Sequence, residues 1–110
     1  MRKLGIVVVG SLPYQVYEAS EEEHRPLEDA VGVTDCTKST IHIRAGMSRE
    51  LALETLAHEI GHAAFYGSGA GEYLKTLLYD ADKAHEAEEM LILMLTPSLL
   101  AVRGQLKGFL

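Results

Sequence analysis

His58 and His62 stand four residues apart inside a stretch, Ser48 to Tyr66, that carries helix signals at both ends. Residues i and i+4 project from one face of a helix, a turn apart. The two imidazoles therefore converge only if this stretch is a helix. Ser48 is a good N-cap, Glu50 falls in the first turn where the helix dipole favours an acid, and Gly67 reads as the C-cap. Placed at about 100° per residue, Leu53, Leu56, Ala57, Ile60, Ala63 and Ala64 form one apolar stripe. His58 and His62 fall on the opposite side with Leu51, Thr55 and Phe65. A core histidine would sit within the stripe. Two stacked together away from it predict a metal-ligating pair.

Between them the chain reads His58-Glu59-Ile60-Gly61-His62, the pattern HExxH. Glu59 lies about 100° round from His58, at the flank of the pair. There a carboxylate takes a proton from water without itself being a ligand. Two histidines leave a catalytic zinc short of its usual three protein ligands and one open position. The C-terminal third offers Glu86, Glu88 and Glu89, just ahead of Met90-Leu91-Ile92-Leu93-Met94-Leu95. That run is apolar all round, which predicts a helix buried there, and unpaired carboxylates at its mouth would be costly to bury.

The remaining chain supplies a setting for this helix. Ile6 to Val9 is β-branched and continuous, as in a strand buried on both faces. The apolar run from Leu4 is too short for a signal peptide and no small-residue cleavage site follows it, so it reads as a strand. Gly10 to Pro13 is a turn, and Tyr14–Tyr17 a second short strand. The acidic stretch Glu18 to Asp29 reads as a solvated loop or short helix. Gly32–Asp35 and Thr40–Arg44 flank a polar turn and predict a hairpin. In the second of these strands Ile41 and Ile43 alternate with His42, which places His42 on the exposed face. Gly67 to Gly71 reads as a flexible link. A helix is expected over Glu72–Asp82 and another from Ala84, kinked or restarted at Thr96-Pro97.

At 110 residues the chain fits one domain, 1–110. The net charge of −6 argues against a nucleic-acid partner and a polybasic membrane surface. No stretch approaches the roughly 20 apolar residues of a membrane span. Cys36 is the single cysteine, which excludes an internal disulfide and a cysteine-based zinc ribbon and points to a cytoplasmic setting. Cys36 itself reads as an ordinary turn residue.

The stretch Thr55-Leu56-Ala57-His58-Glu59-Ile60-Gly61-His62-Ala63 resembles the ImmA/IrrE-type zinc metallopeptidases and the small phage-associated HExxH proteins related to them. The resemblance begins near Thr34-Asp35, passes through Ile41-His42-Ile43, and resumes from Glu88-Glu89 to about Leu100. In that family a glutamate on a later helix is the third ligand, followed by small or apolar residues at helical spacing. Glu89, then Ile92, Leu95, Thr96, Leu99 and Leu100, is a similar pattern. The resemblance thus implies Zn2+ held by His58, His62 and Glu89, with Glu59 as general base. Ile92-Leu93 departs from it, standing where many members have alanine-asparagine, and a slip of one residue would make Glu88 the ligand. The implied fold is α+β, a minimal zincin-like domain. A small mixed sheet packs on the HExxH helix, and a C-terminal helix supplies the third ligand. The implied activity is hydrolysis of a peptide bond in a protein or peptide substrate, a regulatory protein by analogy. The Thr40–Arg44 strand is the expected edge for an extended substrate, and Tyr66, Tyr73 and His85 are candidate oxyanion donors. The alternative is a zinc-binding interaction module with little or no catalytic activity.

Overall fold

The structure, a computed structural model, describes residues 1–100, and of 97–100 the backbone alone. Four strands come first: β1 (Arg2–Val9), β2 (Leu12–Ala19), β3 (Gly32–Asp35) and β4 (Thr40–Arg44). A short 3-10 turn, Arg25–Glu28, lies between β2 and β3. Three helices follow: α1 (Arg49–Ser68), α2 (Ala70–Leu78) and α3 (Ala81–Leu100). The domain is therefore mixed α+β, with one four-stranded sheet in the order β1-β2-β4-β3. β1–β2 and β3–β4 are antiparallel pairs, the second being the hairpin that the sequence predicts, and β2 runs parallel to β4.

One face of the sheet receives α1. Tyr14 and Val16 of β2 and Ile41 and Ile43 of β4 close on Ala52, Leu56 and Ala63, with Leu4, Val7, Val9, Met47 and Ile60 around them. Side chains buried to this degree stabilise the fold by about 1.5–3 kcal/mol each for the larger ones. Because α1 covers only one face and β1 is the sheet's outer strand, Ile6 and Val8 are exposed rather than buried on both sides.

The other face is covered near its centre by the chain between β2 and β3. Leu27 of the 3-10 turn is fully buried, and Arg44 donates to the carbonyls of Leu27 and Ala30. His24 stacks on His42 at 3.7 Å between ring centroids, and Tyr17 stacks on the far side at 5.1 Å. His42 is therefore buried, not solvated as its alternation suggests. The acidic stretch gives Glu18 and Ala19 to β2 and is otherwise the exposed turn and short helix that the sequence suggests, with Leu27 as its buried exception.

The helix boundaries move for local reasons. Ser48 caps α1 through the Leu51 amide, as the sequence predicts. The C-terminal end is Gly69, not Gly67; at φ 76° it adopts the left-handed conformation that suits glycine, and its N–H reaches the Tyr66 carbonyl. What reads as a flexible link is thus a single sharp turn into α2. The Asp80 carboxylate accepts from the amides of Asp82 and Lys83, so α3 begins at Ala81 rather than Ala84. It continues as one helix past Thr96-Pro97.

The helix α3 lies against α1 and crosses its histidine face. The contact is close because Gly61 has no side chain. A Cβ there would stand 2.9 Å from Ile92 Cγ2. Ile92 is the one fully buried member of Met90–Leu95; Met90, Leu91, Leu93, Met94 and Leu95 are exposed, against the sequence expectation of a buried run. Thr96 is buried with Ile92, whereas the side chains of Leu99 and Leu100 lie outside the described residues. No helix among the described residues is long and apolar enough to cross a membrane.

Candidate metal centre

Three elements meet at the middle of α1. The sheet brings β3 to one flank, and α3 lies over the histidine face. His58 and His62 project together with their ring centroids 5.0 Å apart, at 78° to one another. From α3, Glu89 reaches both rings. Its Oε2 lies 3.3 Å from His58 Nε2, and its Oε1 lies 2.9 Å from His62 Nε2. One donor atom from each of His58, His62 and Glu89 falls within 4.8 Å of the others, the grouping a metal ion needs.

Glu88, the neighbouring carboxylate, takes a different place. Its Oε2 is 2.8 Å from His62 Nδ1, on the far side of that ring from Glu89. The two glutamates thus divide the nitrogens between them, and Glu86 is exposed and apart from the cluster. Three carboxylates, Glu59, Glu88 and Glu89, share a partly buried region with two imidazoles, an arrangement that favours a cation.

Glu59 is buried and stands outside the three-donor grouping. The Thr34 hydroxyl lies 2.8 Å from its Oε1 and 3.0 Å from its backbone carbonyl. Gly32 makes this approach possible: a Cβ there would lie 2.6 Å from Thr55 Cγ2 and 3.0 Å from Glu59 Cγ. The sequence reading gives Thr34 no role. A signal existed, because in the predicted hairpin Thr34 pairs with Ile41 and Gly32 with Ile43, so both share the face that meets the motif helix.

Two openings flank the centre. On the His62 side is a cavity of about 390 Å³ whose walls include Thr34, Cys36, Glu59, Tyr66, Lys75 and His85. On the His58 side is one of about 500 Å³, walled by Val31, Leu51, Thr55, Leu93 and Thr96 among others. Of the candidate oxyanion donors, Tyr66 and His85 face the first cavity, and Tyr73 is not on its wall. Cys36 is in the turn after β3, as read, but it also lines this cavity. Burial pushes its thiol up from the ordinary value, so it remains protonated near neutral pH.

The strand available to a partner is β3, not β4. β4 lies between β2 and β3, so both its edges are paired. The Val31 carbonyl accepts from the Arg44 amide, and Val33 and Asp35 face His42 and Thr40 in the same register. In an antiparallel pair the intervening residues turn their backbone groups the other way, so Gly32 and Thr34 present theirs to the open side.

Comparison with protein-family models, with curated proteins and with solved structures gives no match.

Proposed function

We propose that this chain is a zinc-dependent peptide-bond hydrolase with a minimal zincin-like fold, of the ImmA/IrrE type that its HExxH segment resembles. The observation that carries the reading is the position of Glu59. It is held by Thr34 beside the three-donor cluster and is not a member of it. A purely structural metal site has no use for such a carboxylate, whereas a hydrolytic one requires it.

The donor set fits zinc. Ligand atoms about 2.0–2.1 Å from a tetrahedral zinc lie roughly 3.3 Å apart, the separation of Glu89 Oε2 from His58 Nε2, while Glu89 Oε1 lies 2.9 Å from His62 Nε2. Two imidazole nitrogens and one carboxylate form a three-ligand catalytic set. Zinc bound there supplies Lewis-acid polarisation of a carbonyl and acidification of water. His58, His62 and Glu89 hold the ion. Glu59, with Oε1 engaged by Thr34, uses Oε2 to accept the proton of the attacking water and later returns it to the leaving amine. Tyr66 or His85, on the cavity wall, donates a hydrogen bond to the developing oxyanion.

The substrate is an extended segment of protein. The outward backbone groups of Gly32 and Thr34 pair with it, so recognition rests more on its main chain than on its side chains. By the resemblance, a regulatory protein is the class of substrate; that step is analogy.

The test is metal analysis combined with digestion of a broad peptide library. The parent protein should contain about one zinc per chain. His58→Ala, His62→Ala and Glu89→Ala should lose it. Glu59→Gln should keep both zinc and fold while losing at least the roughly 10²-fold that general-base catalysis supplies. Zinc lost from Glu59→Gln with the fold intact would make Glu59 a ligand. Zinc held by both the parent and Glu59→Gln, with no peptide cleaved by either, would favour the interaction-module reading.

A further inference from the structure

The polar atoms around His62 are satisfied in an order that separates holding a metal from aiming the ligand. We propose that Glu88 is the positioning residue of the metal centre, acting through His62 Nδ1, and that Gly71 at the start of α2 provides its seat. The proposal rests on the metal-centre reading above.

His62 Nε2 faces Glu89 together with His58 Nε2, so this is the nitrogen offered to an ion. A neutral imidazole has one lone pair and one N–H. If Nε2 is to give its lone pair, Nδ1 must carry the hydrogen, and Glu88 Oε2 at 2.8 Å is placed to accept it. Such a carboxylate fixes the tautomer and the ring plane and makes the nitrogen a better donor. No equivalent partner meets His58 Nδ1 among the described residues, so the effect belongs to one histidine.

The Glu88 carboxylate lies close against the start of α2. Its Oε1 lies so near Gly71 that a Cβ on that residue would stand 3.1 Å away. An added methyl group would press on the carboxylate oxygen, which would have to give by a few tenths of an ångström beside its contact with His62. Gly69 makes the turn that sets α2 beside α3, and Gly71 leaves room for Glu88 there. Of the glycine-rich stretch 67–71, Gly69 and Gly71 therefore leave Glu88 its place beside His62.

The experiment is titration of metal-free protein with Co2+, reading affinity and visible absorption, with zinc competition and far-UV circular dichroism alongside. Glu88→Ala should bind about 10–100-fold more weakly, with the fold unchanged. Glu88→Gln keeps the size and one acceptor oxygen for Nδ1–H but not the charge, so it should recover only part of that loss, whereas a filler role predicts full recovery. Gly71→Ala, with every polar group intact, should weaken binding in the same direction by a smaller factor. Affinity in Glu88→Ala equal to that of the parent overturns the proposal and leaves the metal centre standing. So does a changed coordination spectrum showing that an oxygen ligand has gone, since Glu88 would then be a ligand. A parent protein that takes up neither metal overturns the metal-centre reading, and this proposal with it.

Discussion

At the scale of single residues, Thr34 and Glu59 form the pair on which the proposed hydrolysis turns. The Thr34 hydroxyl donates to Oε1 of Glu59 and so fixes the carboxylate's orientation through one oxygen alone. Hydrogen bonds to charged groups contribute about 1.5–3 kcal/mol. Thr34→Val replaces the hydroxyl with a methyl of similar size and removes that bond. The carboxylate would then sample orientations in which Oε2 faces away from substrate. Thr34→Val should keep its zinc and its fold and unfold several degrees below the parent, because that bond is lost, while turnover falls by about tenfold, the equivalent of ~1.4 kcal/mol. Unaltered turnover in a zinc-replete Thr34→Val protein would show that Glu59 is oriented by something else.

At the scale of elements, two glycines clamp the motif helix from opposite flanks. Gly32 lets β3 reach Thr55 and Glu59, and Gly61 lets α3 reach α1 through Ile92. Neither has a φ in the left-handed region, so what each position requires is space. Gly61→Ala tests the second clamp. The exchange favours an isolated helix by up to about 1 kcal/mol. Against it, the new methyl meets Ile92 Cγ2 at 2.9 Å, and overpacking of this kind typically costs ~1–3 kcal/mol. The readier response is for α3 to move away, carrying Glu89 from His58 and His62. Gly61→Ala should therefore lose metal affinity out of proportion to any loss of stability. Comparing metal titration with urea unfolding of the same variant distinguishes this from general destabilisation; equal metal affinity in parent and variant would refute the clamp.

At the scale of the whole molecule, the sheet has the candidate metal centre at one side and a histidine stack on the face away from α1. His42 is held below its ordinary value, first because burial removes water from its ring and then because His24 lies against it; Asp35 acts in the opposite sense. The unfolded chain takes up this proton near pH 6.5, the folded chain only at lower pH. Between those values the unfolded state binds more protons, so stability decreases as pH falls. The contribution is fully present above about pH 6.5 and lost as pH drops through the folded value. The urea midpoint should fall between about pH 7.5 and about pH 5, and His42→Phe should reduce that fall. Glu23 and Asp35 sit below the usual carboxylate range, Glu23 at about 2 beside the N-terminal ammonium. Their contributions are fully present above the usual carboxylate range and are lost as pH falls from that range through the depressed values, a window below that of His42. An identical midpoint shift in His42→Phe would place the acid sensitivity elsewhere.

Local chemistry determined a good deal of this protein from sequence alone. The Ser48 cap, the β3–β4 hairpin, the Ile41 and Ile43 core positions and the facing of His58 and His62 all follow from spacing and residue type within a few turns of chain. Glu89 entered by resemblance, and the structure brings it to both histidines while setting Glu88 behind one of them. Periodicity has no means of assigning that division, because adjacent residues on a helix differ by about 100° and only the approach of α3 selects between them. For the same reason burial departs from the pattern of the individual strands and helices. His42 alternates like a solvated residue yet is covered by a segment 18 positions earlier, at His24. The apolar run Met90–Leu95 contacts α1 along one line, leaving all but Ile92 exposed. Which face of an element meets solvent depends on what is placed against it, and that is decided between elements, by the few close approaches that Gly32 and Gly61 permit.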